Sequence, residues 1–129
     1  MCIRDREARA QNGVSVVTGP DIRWGRCDIK TVNLLPNVLA KQAAAEAGAT
    51  ECWMVDSEGQ ITEGSSTNAW ILDREGVLRT RQADHAILHG ITRARIIECA
   101  RSMGIEFEER GFSVEEAMNA REALSLIHI

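Results

Sequence analysis

The spacing of apolar residues along the chain shifts between a helical period and a strand period. Residues 34–47 place leucine, valine and then alanine side chains at helical spacing. Asn33 supplies an N-capping side chain, Pro36 lies in the first turn, and Gly48 follows the last apolar position. The pattern therefore predicts a helix that begins just after Asn33 and ends before Gly48.

Two further helices are predicted near the C-terminal end. Gly90 precedes one of them, and Gly104 ends it. Its apolar positions follow helical spacing at Ile96, Ile97, Ala100 and Met103. The other begins at Ser113, where Glu116 three residues later completes a capping box.

Short β-strands are predicted between the first two helices. Four stretches have the composition of strands, namely residues 50–55, 60–62, 68–72 and 77–81. Turn-forming residues separate them at 57–59 and 73–76. The order predicts an α+β fold, with helices packed about one mixed sheet.

The two ends of the chain are related through their codons. Residues 1–6 can be encoded by ATG TGT ATA AGA GAC AGN, and the reverse complement of that string can encode residues 124–129. This relation indicates a sequencing adaptor that was read as coding sequence at both ends of a DNA fragment. We therefore expect residues 7–123 to be the biological segment, and we exclude both ends from the fold prediction.

Composition narrows the possible partners. The formal charge of −4 provides no basic surface for nucleic acid or for an anionic membrane. No apolar run approaches the ~18 residues that a membrane-spanning helix needs. The cytoplasm is the expected location. The cysteines outside the first six residues lack metal or redox spacing and are expected to be reduced and structural: Cys27, Cys52 and Cys99.

Lysine is rare in this chain. Lys30 and Lys41 are its two lysines, although lysine and arginine together number 15. A lysine kept in an arginine-rich chain is a candidate for amine chemistry. Lys41 falls within the first predicted helix and is expected to be solvated, so Lys30 is the candidate amine. Lys30 is expected to lie in a strand, or at the end of one, just before that helix.

Three segments carry the candidate chemistry, namely residues 28–35, 62–68 and 90–93. The first supplies the amine of Lys30, and the second supplies the carboxylate of Glu63. The third opens a helix, where unpaired N–H groups favour an anion. An amine, a carboxylate and such a helix start are what a protein needs to hold pyridoxal phosphate.

In this order the three segments resemble the class IV aminotransferases, which are pyridoxal-phosphate enzymes of fold type IV. The resemblance is closest to the branch that acts on D-amino acids such as D-alanine, and it covers residues 14–123. It implies the large C-terminal domain of that fold, incomplete at both ends. It also implies amino acid and 2-oxo acid substrates, and a homodimer when the protein is full length.

The resemblance assigns roles to individual residues. Lys30 matches the catalytic Schiff-base lysine, and Glu63 matches the acid that holds the pyridine nitrogen. The backbone N–H groups of Ile91 and Thr92 match those that bind the phosphate, and Leu88 matches a leucine that lies against the ring.

Neighbouring polar residues receive lesser roles. Ser66 and Thr67 are expected to add hydroxyl contacts to the cofactor. His85 and His89 lack metal-ligand spacing and are expected to be loop residues, so no metal site is predicted. Arg93 is expected to be structural.

Other functions fit the same residues. A branched-chain L-amino-acid aminotransferase and an aminodeoxychorismate lyase share the fold. The chain could also be a binding module or an inactive fragment. The resemblance implies that the chain lacks the family's N-terminal domain, which supplies an arginine to the phosphate, and the strand expected after Ala123. The presence of both Lys30 and Glu63 favours an enzyme.

Overall fold

The computed structural model describes residues 11–127. The predicted adaptor residues 1–6, and residues 128–129 at the other end, lie outside this range. Between residues 13 and 127 the strands are β1 (Val16–Pro20), β2 (Glu51–Val55), β3 (Ile61–Gly64), β4 (Thr67–Leu72), β5 (Leu78–Thr80), β6 (Phe107–Glu109) and β7 (Glu122–Ile127). The helices are α1 (Leu35–Glu46), α2 (Ile91–Ser102) and α3 (Val114–Asn119).

The strands form two mixed sheets, with the orders β1-β2-β3 and β6-β5-β4-β7. Parallel and antiparallel pairs occur in both sheets. The α+β class is confirmed, whereas the prediction of one sheet is wrong. The chain leaves the first sheet at Gly64 and enters the second at Thr67, so that residues 64–67 form the crossover between the sheets. Strand spacing in the sequence does not show which neighbours a strand pairs with.

The second sheet is packed on both faces, and β4 connects the two cores. Ala69 and Ile71 on β4 belong to a core that also contains Trp53, Ile61 and Phe112. Trp70, between them on the strand, belongs to a second core with Leu78, Ile97 and Ala100. Because both faces of β4 are buried, its residues 69–72 are a continuous apolar run rather than an alternating one.

Strand β7 corrects the expectation that no strand follows Ala123. Residues 122–127 pair antiparallel with all six residues of β4. Leu124 and Leu126 alternate along β7 and pack against the second core. The alternation of Leu124, Ser125 and Leu126 is typical of a strand with one face on a core. Their adaptor origin remains a prediction.

The observed ends of the helices agree in part with the ends predicted from the sequence. α3 has the predicted capping box, since the Glu116 N–H donates to Ser113 Oγ and the Ser113 N–H donates to the Glu116 carboxylate. The predicted N-cap of α1 is wrong. Leu34 occupies that position, and the Asn33 N–H donates to Thr31 Oγ1 at 3.2 Å. Among the described residues, no helix has the length and apolar character of a membrane span.

Candidate active site

Lys30 lies in an irregular segment, residues 21–34, between β1 and α1. The prediction that it ends a strand is wrong, because β1 stops at Pro20, ten residues earlier. Backbone bonds hold the segment in place. The Asp21 N–H donates to the Val55 carbonyl, and the Cys27 N–H donates to the His85 carbonyl, both at 2.8 Å. Lys30 is therefore presented from a fixed loop just before α1.

Two adjoining cavities, of about 350 and 360 Å³, meet beside Lys30. They share five lining residues, namely Lys30, Leu34, Asn37, Glu63 and Leu88. The second cavity is also lined by Ser66 and Thr67. The structure thus brings together five of the seven residues predicted for the site, from three separate parts of the chain.

The remaining two, Ile91 and Thr92, lie at the start of α2. Within residues 11–127, neither belongs to the wall of these two cavities. Gly90 is the N-cap of α2, with extended backbone, and the first intrahelical bond runs from the Ala94 N–H to the Gly90 carbonyl. The N–H groups of Ile91 and Thr92 lie in the first turn, where a helix supplies no acceptor. Leu88 connects this turn to the cavities.

Glu63 is buried on β3, with 7% of its surface exposed. One carboxylate oxygen accepts a hydrogen bond from the Arg23 guanidinium. The other accepts from Asn68 Nδ2 at 3.0 Å and from the Leu88 N–H at 3.2 Å. Burial raises the pKa of the Glu63 carboxyl, and the charge of Arg23 opposes that rise.

Arg23 is a site residue that the sequence analysis missed. Its Nε and Nη2 atoms form a bidentate pair with Asp21, at 2.9 and 2.6 Å. The same Nη2 also donates to the Ala86 carbonyl at 2.8 Å. The side chain is 5% exposed. Burial works to lower the pKa of the Arg23 guanidinium, but Asp21 and Glu63 raise it above its ordinary value. Nothing in the sequence distinguishes Arg23 from the other arginines.

The buried group of Asp21, Arg23 and Glu63 contains two carboxylates and one guanidinium. When all three are ionised, one negative charge is in excess. A buried excess charge is costly unless a ligand or a proton compensates it. Because Glu63 also lines both cavities, the group is suited to a cationic ligand atom. A protonated pyridine nitrogen is such an atom, so these residues fit pyridoxal phosphate.

Asn68 connects Glu63 to the segment that leads into α2. Its Nδ2 donates both to Glu63 and to the Leu88 carbonyl, the latter at 3.2 Å. Leu88 is therefore held at its N–H by Glu63 and at its carbonyl by Asn68. Leu88, the candidate contact to the pyridine ring, and Glu63, the candidate contact to the ring nitrogen, are therefore held by the same hydrogen bonds.

The histidines and Arg93 lie apart from the candidate site. His85 lies 3.5 Å from Asp28, and His89 Nε2 lies 3.1 Å from the Asp84 carbonyl. Both histidines are loop residues. Arg93 is buried, and its guanidinium donates to Glu109 and to the Arg81 carbonyl. Across residues 11–127, no group of three or more His, Cys, Asp or Glu side chains could hold a metal ion.

Gly64 provides a first test of the site. A Cβ at this position would overlap the Thr67 hydroxyl and would lie 3.2 Å from Cδ of Glu51. We expect Gly64→Ala to lower the free energy of unfolding by about 1–3 kcal/mol through overpacking. The matched control is Gly25→Ala, since a Cβ at Gly25 would meet no described atom within 4 Å. Urea unfolding measures both, and equal losses would show that the space at Gly64 is not restricted.

Comparison with known protein families gives one sequence family. The profile described as "Amino-transferase class IV" matches residues 4–126 of the chain. The D-alanine aminotransferase of Bacillus licheniformis is 41% identical over 120 residues, which are 93% of this chain and 42% of that protein. The D-alanine aminotransferase of Staphylococcus aureus (strain N315) is 45% identical over 115 residues, 88% of this chain and 40% of that protein. The chain thus spans about 40% of the length of these relatives.

Branched-chain aminotransferases of known structure have folds similar to that of this chain. The branched-chain aminotransferase from Thermoproteus uzoniensis with norvaline has a TM-score of 0.83 and 31% identity, over 88% of this chain and 40% of that chain. The branched-chain amino acid aminotransferase from Thermobaculum terrenum in PLP-form has a TM-score of 0.82 and 27% identity, over 91% of this chain and 40% of that chain. The predicted fold-type IV architecture is confirmed by this similarity.

Proposed function

Because the chain belongs to the class IV aminotransferase family, we propose that it carries the pyridoxal-phosphate site of an enzyme that moves an amino group between a D-amino acid and a 2-oxo acid. One observation carries the proposal. Lys30 and the buried carboxylate of Glu63 line the same pair of cavities. The preference for D-amino acids is supported by the D-alanine aminotransferases, which are 41% and 45% identical to the chain.

Lys30 and Glu63 would hold different parts of the cofactor. Lys30 would hold its aldehyde carbon and, once released, move the proton at Cα of the amino acid. Glu63 would keep the pyridine nitrogen protonated. When bound, pyridoxal phosphate supplies an electron sink for the substrate's Cα electrons. Both requirements need the ring to lie between the loop of Lys30 and strand β3, where the cavities meet.

The remaining predicted residues would orient pyridoxal phosphate in the site. The N–H groups of Ile91 and Thr92 would bind the phosphate at the positive end of α2. Leu88 would pack against one face of the ring. Ser66 and Thr67, which line the second cavity, would contact the cofactor through their hydroxyl oxygens.

We extend the proposal to a homodimer in the cytoplasm. Apolar side chains next to Lys30 are exposed along the loop and α1, including Val32 at 96% and Leu35 at 64%. Exposed apolar side chains that lie close together in the sequence favour association. A second copy of the protein is the proposed partner, and the amino acid and 2-oxo acid are the proposed substrates.

The second candidate is a branched-chain L-amino-acid aminotransferase. Two branched-chain aminotransferases of known structure share the fold at 27–31% identity. The test incubates the protein that contains this chain with a 2-oxo acid and either D-alanine or L-leucine. We expect D-alanine to be consumed. Consumption of L-leucine alone would favour the second candidate, and consumption of neither would contradict the proposed activity.

Glu63→Gln tests the acid. The amide keeps the size of the side chain but cannot hold the ring nitrogen protonated. We expect the cofactor to remain bound and turnover to fall by about a hundredfold or more. The matched control is Glu58→Gln, at an exposed position in the β2–β3 turn. Turnover that is unchanged in Glu63→Gln would show that the acid lies elsewhere.

A further inference from the structure

A second buried carboxylate, that of Glu51 on β2, lies against the crossover between the two sheets. It is 3% exposed and is not among the residues that line the cavities in the described part of the chain. Its donors are the Cys52 N–H (2.8 Å), the Ser65 N–H (3.1 Å), and the hydroxyls of Ser65, Ser66 (3.0 Å) and Thr67 (3.3 Å). Lys41 Nζ lies 3.6 Å from the same carboxylate.

Fold stability alone does not require a charge at this position. A buried carboxylate is costly unless donors surround it, and apolar side chains of similar volume are often equally stabilising. Burial works to raise the pKa of the Glu51 carboxyl, but hydrogen bonds from Ser65 and Cys52 hold it below its ordinary value. Glu51 is therefore ionised at neutral pH, and the hydroxyl groups of the crossover donate their hydrogen bonds to it.

The crossover that Glu51 holds connects Glu63 to Asn68, and these two residues are joined by a hydrogen bond. Gly64 directly follows Glu63, and a Cβ there would lie 3.2 Å from Cδ of Glu51. At the other end of the crossover, Asn68 donates to Glu63. Movement of residues 64–67 would change the distance between the carboxylate of Glu63 and its Asn68 donor.

We propose that Glu51 is a positioning residue for the cofactor site, because it fixes the Gly64–Thr67 crossover and so the placement of Glu63, Asn68 and the Ser66 and Thr67 hydroxyls. Lys41 completes the arrangement from α1, since its Nζ donates to the Thr50 carbonyl at 2.7 Å beside Glu51. The proposal rests on the proposed function, in which these residues contact pyridoxal phosphate.

Three variants separate positioning from stability. Glu51→Met keeps the volume of the side chain and removes every acceptor. Glu51→Gln keeps one acceptor oxygen and is the conservative variant. The matched control is Asp73→Asn at the β4–β5 turn. Asp73 is likewise buried (7% exposed), accepts a backbone hydrogen bond from Val77 at 2.8 Å and pairs with an arginine, Arg79.

Two properties are measured besides thermal unfolding. The first is the dissociation constant of pyridoxal phosphate, from quenching of tryptophan fluorescence, because Trp24 lines the first cavity. The second is the midpoint of the pH titration of the bound cofactor's absorbance. We expect Glu51→Met to weaken binding about tenfold or more and to shift the midpoint, with Glu51→Gln intermediate. Asp73→Asn should lower the unfolding temperature and leave both properties unchanged.

The possible outcomes are distinguishable. Wild-type affinity and an unchanged titration midpoint in a folded Glu51→Met or Glu51→Gln variant would overturn the proposal. So would a loss of affinity that follows the unfolding temperature equally in Glu51→Met and Asp73→Asn, because Glu51 would then only stabilise the fold. If the folded wild-type protein binds no pyridoxal phosphate, the proposed function fails, and this proposal fails with it.

Discussion

Changing Lys30 to alanine should reduce turnover by about three orders of magnitude or more, the largest effect that we expect on activity. Lys30 lines both cavities, whereas Lys41 lines the second. Lys30→Ala removes both the covalent attachment and the base for the Cα proton. The amine of Lys41 instead donates to the Thr50 carbonyl and lies beside the Glu51 carboxylate. Steady-state transamination of D-alanine measures the effect in the protein that contains this chain.

Two controls define the Lys30 result. A small primary amine such as methylamine should restore part of the lost turnover in Lys30→Ala, because it replaces the missing base. Lys41→Arg, which preserves the charge beside Glu51, should retain most of the wild-type rate. A Lys30→Ala variant with more than about a tenth of the wild-type turnover would contradict the assigned role.

Changing Arg23 to methionine should give the largest loss of stability, about 3–5 kcal/mol. The substitution leaves Asp21 and Glu63 buried, close to one another and without their shared cation. Urea unfolding at neutral pH measures the loss. The matched control is Arg95→Met, whose exposed pair with Glu98 at i,i+3 is screened by solvent, so that the free energy of unfolding should stay nearly unchanged.

The effect of Arg23→Met should depend on pH. The hydrogen bonds from Arg23 and Thr62 overcome burial and lower the pKa of Asp21 in the folded wild type. This stabilisation is present above the ordinary pKa of aspartate, about 4, and is lost as the pH falls further. In the variant, the unpaired carboxylates instead take up protons more readily. The difference in stability between the two proteins should therefore shrink below about pH 4, and a constant difference would show that the charge pair is not its origin.

The helices and the central strands could be predicted from the sequence because their signals are local. The capping box at Ser113 and the apolar run of β4 are examples. β1 was not predicted, since it is short, contains Gly19 and Pro20, and is half exposed along one edge. β6 contains two glutamates among three residues. Its strand form depends on parallel pairing with β5, from which it is distant in sequence.

The candidate site was predictable only where its chemistry lies in short segments. Lys30 and Glu63 were each indicated by the residues around them. Arg23 was not, because its role depends on a contact with a residue 40 positions away. Asn68 and Glu51 were missed for the same reason, since burial and the crossover between sheets give them their partners. A sequence pattern shows which chemical groups are present, whereas packing determines which of them form ion pairs and hydrogen bonds with one another.

The central claim is that Lys30 is the amine that binds pyridoxal phosphate, and borohydride reduction tests it most directly. The protein is loaded with pyridoxal phosphate, reduced, digested and mapped by mass spectrometry. Within this chain, the label has two possible lysine positions, Lys30 and Lys41. We predict that at limiting cofactor the label lies on Lys30, and that Glu63→Gln retains the same position. A label found on Lys41, or divided equally between the two lysines, would contradict the account.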